Sequence, residues 1–432
     1  MKDIKLGLKP FDKKKQETLF ESLKKYFPIK ENTLYFPYLD FFSNRCKNKI
    51  LNSKYTLQKL VKKRGRVGIH GKIFRGIIKS KNRTYTNNLF IKECPIIELL
   101  NYYYLLNNYE CSLLPSRNNE LYEIINSVEN SAYIDVMCCH LCSKLVENGL
   151  CPSFPKFNGT CATIFKEYTF DITADFELYK GSGILEDEEH FSVYDNKKGT
   201  FVKCFNFPVQ LLATEYVKIN IDDIPKIDED FIKSITFQII FALSMAQKYF
   251  SIIHNDLHLG NIMFVPTKKK YIYYRYEDTY FRVPTWGYLV KIIDWDRGTF
   301  EIKDNTFLNN CYRNNGIAFG QYFLPCVKYQ KKKIINPNKS FDLCIYANSI
   351  LRDYDLDTES NIFKLLNVMA SDEKGVPLYK LFDDFELYTH IAKNIDHAVP
   401  ESKILDPCFD SYLLDKSLIP LEEMVYNNGD NS

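Results

Sequence analysis

The run His254-Asn255-Asp256-Leu257-His258-Leu259-Gly260-Asn261 sets two imidazoles, a carboxylate and a carboxamide directly behind an apolar segment. Three chemistries fit such a cluster. The plainest is a loop whose polar side chains cap its own backbone. A zinc site could use His254 and His258, which share a face at helical i, i+4 spacing, together with Asp256. Gly260 and the strand-like Asn261–Phe264 argue for a loop instead, and no Glu stands in the general-base slot. The third is phosphoryl transfer. There an Asp on a rigid loop orients the proton of an attacking hydroxyl, an Asn five positions on (261 − 256) holds a metal ion, and a later Asp at a strand end bridges metal and phosphates.

Phosphoryl transfer makes demands elsewhere in the chain. Downstream, YLVKIIDWDRG supplies the strand and then Asp294, followed by a large aromatic. Upstream, Gly68-Ile-His-Gly71-Lys-Ile73 fits G-x-x-G-x-[VI], and Lys92 lies in LFIKE, 19 residues past Ile73 (92 − 73). This matches a glycine turn over phosphates followed by a strand lysine. A lone GxxG is weak, and Lys92 alone reads as a solvated strand lysine. Four elements in the right order outweigh those plain readings.

Such residues need a scaffold, and the pattern along the chain supplies one. Residues 1–55 join a charged amphipathic helix over 12–26 to the aromatic YFPYLDFF and read as an extension that packs on the body. From 56 to about 94 the pattern is strand-like and punctuated by Gly. Helical periods follow over 96–148, most clearly SVENSAYIDVMCCHLCSKLVENG, which stops at Gly149. Short strands occupy 161–216. FIKSITFQIIFALSMAQKYF is apolar on more than one side, hence a buried helix. The segment KKKYIYYRYEDTYFRVPTWG reads as an extended exposed hairpin, with a docking surface as the rival reading. Residues 300–432 read as mostly helical with long loops. The division expected is 1–55, 56–216 and 217–432, and the fold class is α+β: a bilobed arrangement with a small antiparallel-sheet lobe and a larger, mainly helical lobe.

Composition limits the rest. Hydrophobic residues at 45% and charged residues at 26% are those of a chain that can bury sizeable cores. A net charge of +3 is too mild to argue for a specific nucleic-acid partner. No apolar run is long enough for a transmembrane helix. The start, MKDIKLGLKPFDKKKQ, lacks the apolar core of a secretory signal. The 13 Cys are therefore expected as mostly buried free thiols in a reducing compartment. CHLC at 139–142 has no matching second pair, which disfavours zinc. The wealth of Tyr, Phe, Lys, Asn and Ile fits an AT-rich genome.

With those residues in view, the chain resembles the protein-kinase-like superfamily, and most of all the serine/threonine protein kinases of the nucleocytoplasmic large DNA viruses. The stretches that carry the likeness run from about 60 to 400. They include GIHGKIF, LFIKE, LCSKLVENGLCPSFPKF, FPVQLLATEY, HNDLHLGNIMF, VPTWGYLVKIID, FGQYFLP, NPNKSFDLC and KGVPLYKLFDDFELY. The resemblance implies ATP and Mg²⁺ as cofactors and a protein Ser or Thr hydroxyl as acceptor. It implies Asp256 as the catalytic-loop aspartate, Asn261 and Asp294 as metal ligands, and Lys92 on the α- and β-phosphates. Gly68, Gly71 and Ile73 would cover the nucleotide, and Glu215 would lie near the adenine-holding hinge. Asp342 would brace the catalytic loop. The helix glutamate that pairs with Lys92 is taken as Glu129, with Glu98 and Glu123 as rivals.

The chain also departs from the pattern. Arg66 stands where the first loop glycine belongs, Asp296 replaces the glycine after the metal aspartate, and no APE closes an activation segment. His258 replaces the catalytic-loop lysine. His stands there also in choline-kinase-like and aminoglycoside-phosphotransferase-like enzymes, and in haspin among protein kinases. A small-molecule phosphotransferase and a virion-associated pseudokinase scaffold are thus the competing functions. The host cytoplasm or the virion is the expected location, with no membrane partner.

Overall fold

The computed structural model describes residues 8–10, 12–42, 49–67, 71–81, 83–109, 112–117, 121–302, 304–313, 316–322 and 337–427. Gly68 lies outside these residues. The described chain is α+β, with several separate antiparallel sheets and many helices. It forms two compact units, residues 8–133 with 157–216, and residues 134–156 with 217–427.

The first unit is built on one seven-stranded sheet. Its path runs Ile29–Thr33, Phe157–Asp171, Gly199–Glu215, Arg83–Pro95, Gly71–Ser80, Tyr55–Val67, and Phe191–Asn196 adds to Gly199–Glu215. Every pairing is antiparallel. Within residues 1–55, Ile29–Thr33 joins this sheet as its edge strand, while Leu8–Pro10 and Lys49–Leu51 pair in a separate two-stranded sheet. The charged helix is shorter than expected, Lys13–Lys24, and starts where the Asp12 carboxylate accepts the N–H of Lys15 at 3.3 Å. Phe74, Leu89 and Ile91 are buried, and the Phe27 ring lies 5.4 Å from that of Phe74. Gly76 allows two strands to close: a Cβ there would stand 2.5 Å from Leu89 and 3.1 Å from Leu57.

The second unit is organised by the helix Glu229–Phe250. Asp228 caps it by accepting from Phe231 N at 2.9 Å, and Ser251 ends it in the left-handed region. Its residues are buried on nearly all sides, as the apolar pattern predicts. The helix Phe341–Asp353 is buried from Phe341 to Leu351, and its Tyr346 hydroxyl meets Thr236 at 2.7 Å. A three-stranded antiparallel sheet joins Ile219–Asn220, Ile262–Pro266 and Tyr288–Ile292.

The Tyr-rich segment corrects its sequence reading. It is a hairpin, Tyr271–Tyr276 with Thr279–Pro284, but both its edges are covered by strands from the C-terminal region, Leu413–Leu414 and Val425–Asn427. Tyr274 and Phe281 are buried at 5.4 and 4.9 Å from the Phe237 ring of the long helix. The physical reason is composition: alternate aromatics on one hairpin face bury too much apolar area to be left in water. Among the described residues no helix is long and apolar enough to cross a membrane. The ten described cysteines are free thiols, all buried except the half-buried Cys139.

Candidate active site

The loop 254–261 lies between the long helix and the strand Ile262–Pro266. Apart from the short 3-10 turn Leu259–Asn261 its backbone belongs to no regular element, so most of its polar groups need side-chain partners. Asp342, fully buried, supplies two: its carboxylate accepts from His254 N at 2.9 Å and Asn255 N at 2.8 Å. Gln321 donates to Asn255 O at 2.9 Å, and the Tyr322 hydroxyl donates to Asn255 Oδ1. Asn255 sits at φ +65°, a left-handed conformation that Asn tolerates. Its amide nitrogen donates to Arg297 O at 3.1 Å. His254 is part of this scaffold. Its Nε2 bonds Ile293 O at 2.8 Å, and its ring packs 4.6 Å from the buried indole of Trp295.

Asn261 links the loop to the segment that bears Asp294. Its Nδ2 donates to Asp256 O at 2.9 Å, and its own carbonyl accepts from Ile293 N at 3.0 Å. Asp256, Asn261 and the residue before Asp294 are thus joined by hydrogen bonds. Asp294 stands at φ +66°, whereas Asp296 is not in the left-handed region. The backbone therefore asks for no glycine at 296, and the missing glycine imposes no strain there. Because Nδ2 of Asn261 is committed, its Oδ1 is the atom left for a ligand. That oxygen and the Asp294 carboxylate are hard donors, and two such groups suit Mg²⁺, which takes its remaining ligands from water and phosphate. Among the described residues no group of three His, Cys, Asp or Glu could hold a metal by itself.

His258 lies one turn back. Its Nδ1 accepts from Gly260 N at 3.0 Å, and its Nε2 lies 3.3 Å from Asn261 Nδ2. Burial lowers its pKa and outweighs the attraction of Asp256. Gly260 is needed here: a Cβ would come within 2.8 Å of the imidazole. A polar groove of about 970 Å³ opens beside His258, Leu259 and Gly260.

Two groups tied to this site escaped the sequence reading. Asp135, on the helix Ser131–Glu147, is buried and accepts from Trp295 N at 3.2 Å. Glu129, expected at the helix start, lies instead in a turn two residues ahead of Ser131. Glu98 is the N-cap residue of another helix, and Glu123 sits exposed in a single helical turn. The signal available was Asp135 itself, a charge alone in an apolar helical run. Lys291 is the other: 5% exposed, it donates to the carbonyls of Pro152 at 2.9 Å and Phe154 at 2.8 Å.

The remaining expected residues lie on the sheet. Lys92 is directly opposite Gly71 on one neighbouring strand and Leu212 on the other, and Ile73 is opposite Phe90. Opposite residues share a sheet face, so Ile73, Lys92, Leu212 and Thr214 lie on one face. Glu215 is opposite Leu89, and that parity puts its side chain on the other face. There Glu93 pairs with Lys72, whose ammonium also lies 4.6 Å over the Phe27 ring.

Comparison with known proteins finds partial, low-identity likenesses. The chain is 34% identical over 84 residues, 18% of its length, to a probable serine/threonine-protein kinase of Dictyostelium discoideum. It is 30% identical over 106 residues, 24% of its length, to a serine/threonine-protein kinase haspin homolog of Drosophila melanogaster. An uncharacterised protein of African swine fever virus is 26% identical over 198 residues, 36% of the chain. These stretches span 7%, 19% and 28% of the relatives' own lengths. No family model matches. Two of these likenesses are to proteins named as kinases, each over less than a quarter of this chain.

Proposed function

We propose that this chain is an ATP-dependent phosphotransferase, a viral serine/threonine protein kinase that moves the γ-phosphoryl group of ATP to protein hydroxyls. The observation that carries the reading is the Asn261 junction. The Asn261 side-chain amide donates to the backbone carbonyl of Asp256 while the backbone carbonyl of Asn261 accepts from Ile293 N, so the loop and the Asp294 segment are held in one register. Phosphoryl transfer asks a protein mainly for such alignment and for charge compensation.

In this reading Asn261 and Asp294 hold Mg²⁺, and Lys92 offers a point charge to the α- and β-phosphates. Gly68, Gly71 and Ile73 cover the nucleotide, and the backbone near Glu215 receives adenine. ATP with Mg²⁺ supplies the phosphoryl group and neutralises charge that builds on it. Asp256 accepts the proton of the acceptor hydroxyl as its oxygen attacks. The open, polar groove beside His258 favours an extended protein segment over an enclosed small molecule as acceptor. The relaxed backbone at Asp296 counts against a scaffold that has lost chemistry. The viral relative supports a viral origin, with action in the host cytoplasm or the virion.

The test is transfer of labelled γ-phosphate from ATP and Mg²⁺ to casein or a basic protein. Label on Ser or Thr with the wild type, and none with Asp256→Asn, is expected. Nucleotide binding with label on small alcohols or sugars only would move the reading to a small-molecule enzyme. Nucleotide binding without any transfer would leave the scaffold.

A further inference from the structure

The helix Asp384–Asn394 brings an unexpected side chain to Asp256. Tyr388, 132 residues away, donates its hydroxyl to Asp256 Oδ1 at 2.7 Å. Arg297 approaches the same oxygen with Nη1 at 3.4 Å, and its guanidinium lies 5.6 Å over the Tyr388 ring. Both contacts fall on Oδ1. Among the described residues Oδ2 has no partner. The phenol is held from behind by the Phe341 ring at 5.7 Å, edge to face. Burial, and then the neighbouring carboxylate, push the Tyr388 pKa far up, so the proton stays on the phenol.

A carboxylate that takes a proton during transfer must present one oxygen to the acceptor and cannot be free to rotate. From this geometry we propose that Tyr388 and Arg297 form a positioning pair, fixing Oδ1 of Asp256 so that Oδ2 receives the acceptor proton. The inference rests on the phosphotransferase reading of Asp256. Neither residue touches substrate in this arrangement. Their part is to set the rotamer of the group that does, through a charge-assisted hydrogen bond and a nearby cation.

Tyr388→Phe keeps the ring packing and deletes one hydrogen bond to a charged group. Such a bond, if needed in the transition state, costs about 10- to 100-fold in rate when lost. The expected result is a fall of that size in kcat for protein phosphorylation, with KM for ATP and the melting temperature unchanged. Arg297→Gln lowers kcat in the same way, and the double variant falls by less than the product of the two, because both act on one oxygen. Thr389→Ala, next along the same helix, leaves turnover as it was. A purely structural role would instead lower the melting temperature, without separating kcat from KM. Unchanged turnover in Tyr388→Phe overturns the proposal. So does raised turnover, which would mean that the phenol occupies the acceptor's place and blocks it. If the wild type transfers no phosphate and Asp256→Asn looks the same, the phosphotransferase reading itself has failed and this inference falls with it. An active wild type with unchanged turnover in Tyr388→Phe would overturn the inference alone.

Discussion

The loop 254–261 and the strand Arg83–Pro95 carry residues expected to serve one reaction, yet they are held in different ways. The strand is fixed by its ladders. Lys92 takes its place from pairing with Gly71 on one side and Leu212 on the other, and no single side chain decides that register. The loop has no ladder. It is fixed by Asp342, Gln321, Tyr322 and Asn261, each a side-chain bond and most from distant sequence. Regular structure therefore tolerates the loss of a functional side chain, whereas the loop concentrates its stability in a few polar atoms.

Stability measurements can break or sharpen that contrast. The largest effect is expected at Asp342. Asp342→Ala leaves the buried N–H groups of His254 and Asn255 without partners and should lower unfolding free energy by about 3–5 kcal/mol, read by urea denaturation. Asp342→Asn, which keeps one acceptor, should recover part of it. A loss below about 1 kcal/mol would show that Asp342 does not hold the loop. Lys291→Met comes next. It orphans the carbonyls of Pro152 and Phe154 in a buried setting and should cost about 2 kcal/mol in the same assay. Lys92→Met should change stability by less than about 1 kcal/mol, since the strand keeps its ladders, while phosphate transfer drops by orders of magnitude. Equal damage to stability and transfer at Lys92 would erase the contrast.

The same contrast explains what was legible in the sequence. That Asp256, Asn261 and the residue before Asp294 come together was readable because the loop and the strand after it are short enough to preserve the spacing. The long buried helix was readable from its apolar faces. Asp135 left no signal beyond a carboxylate in an apolar helical run, because its bond to Trp295 N spans 160 residues and follows from tertiary packing. The strands Leu413–Leu414 and Val425–Asn427 are too short to show a period, so their cover over the Tyr-rich hairpin left no trace in the pattern. Tyr388 stood within the KGVPLYKLFDDFELY stretch, but its contact with Asp256 spans 132 residues and follows from tertiary packing alone.

The smallest effect concerns His258 and has a definite sign. Burial lowers the pKa of this ring below its ordinary 6.5 despite the attraction of Asp256. The folded state therefore binds a proton less readily than the unfolded chain. A base shifted this way contributes stability that is fully present above about pH 6.5, and that is lost as the pH falls through and below that value. His258→Asn keeps a side-chain acceptor for Gly260 N but cannot be protonated. Unfolding free energies of wild type and variant, measured in urea from pH 7.5 down to 5, should change relative to each other: the wild type loses ground as the pH drops, and the variant lacks that component. Other titrating groups are common to both proteins and cancel in the difference. A constant difference across the range would mean that the imidazole takes up its proton in the folded loop at no cost.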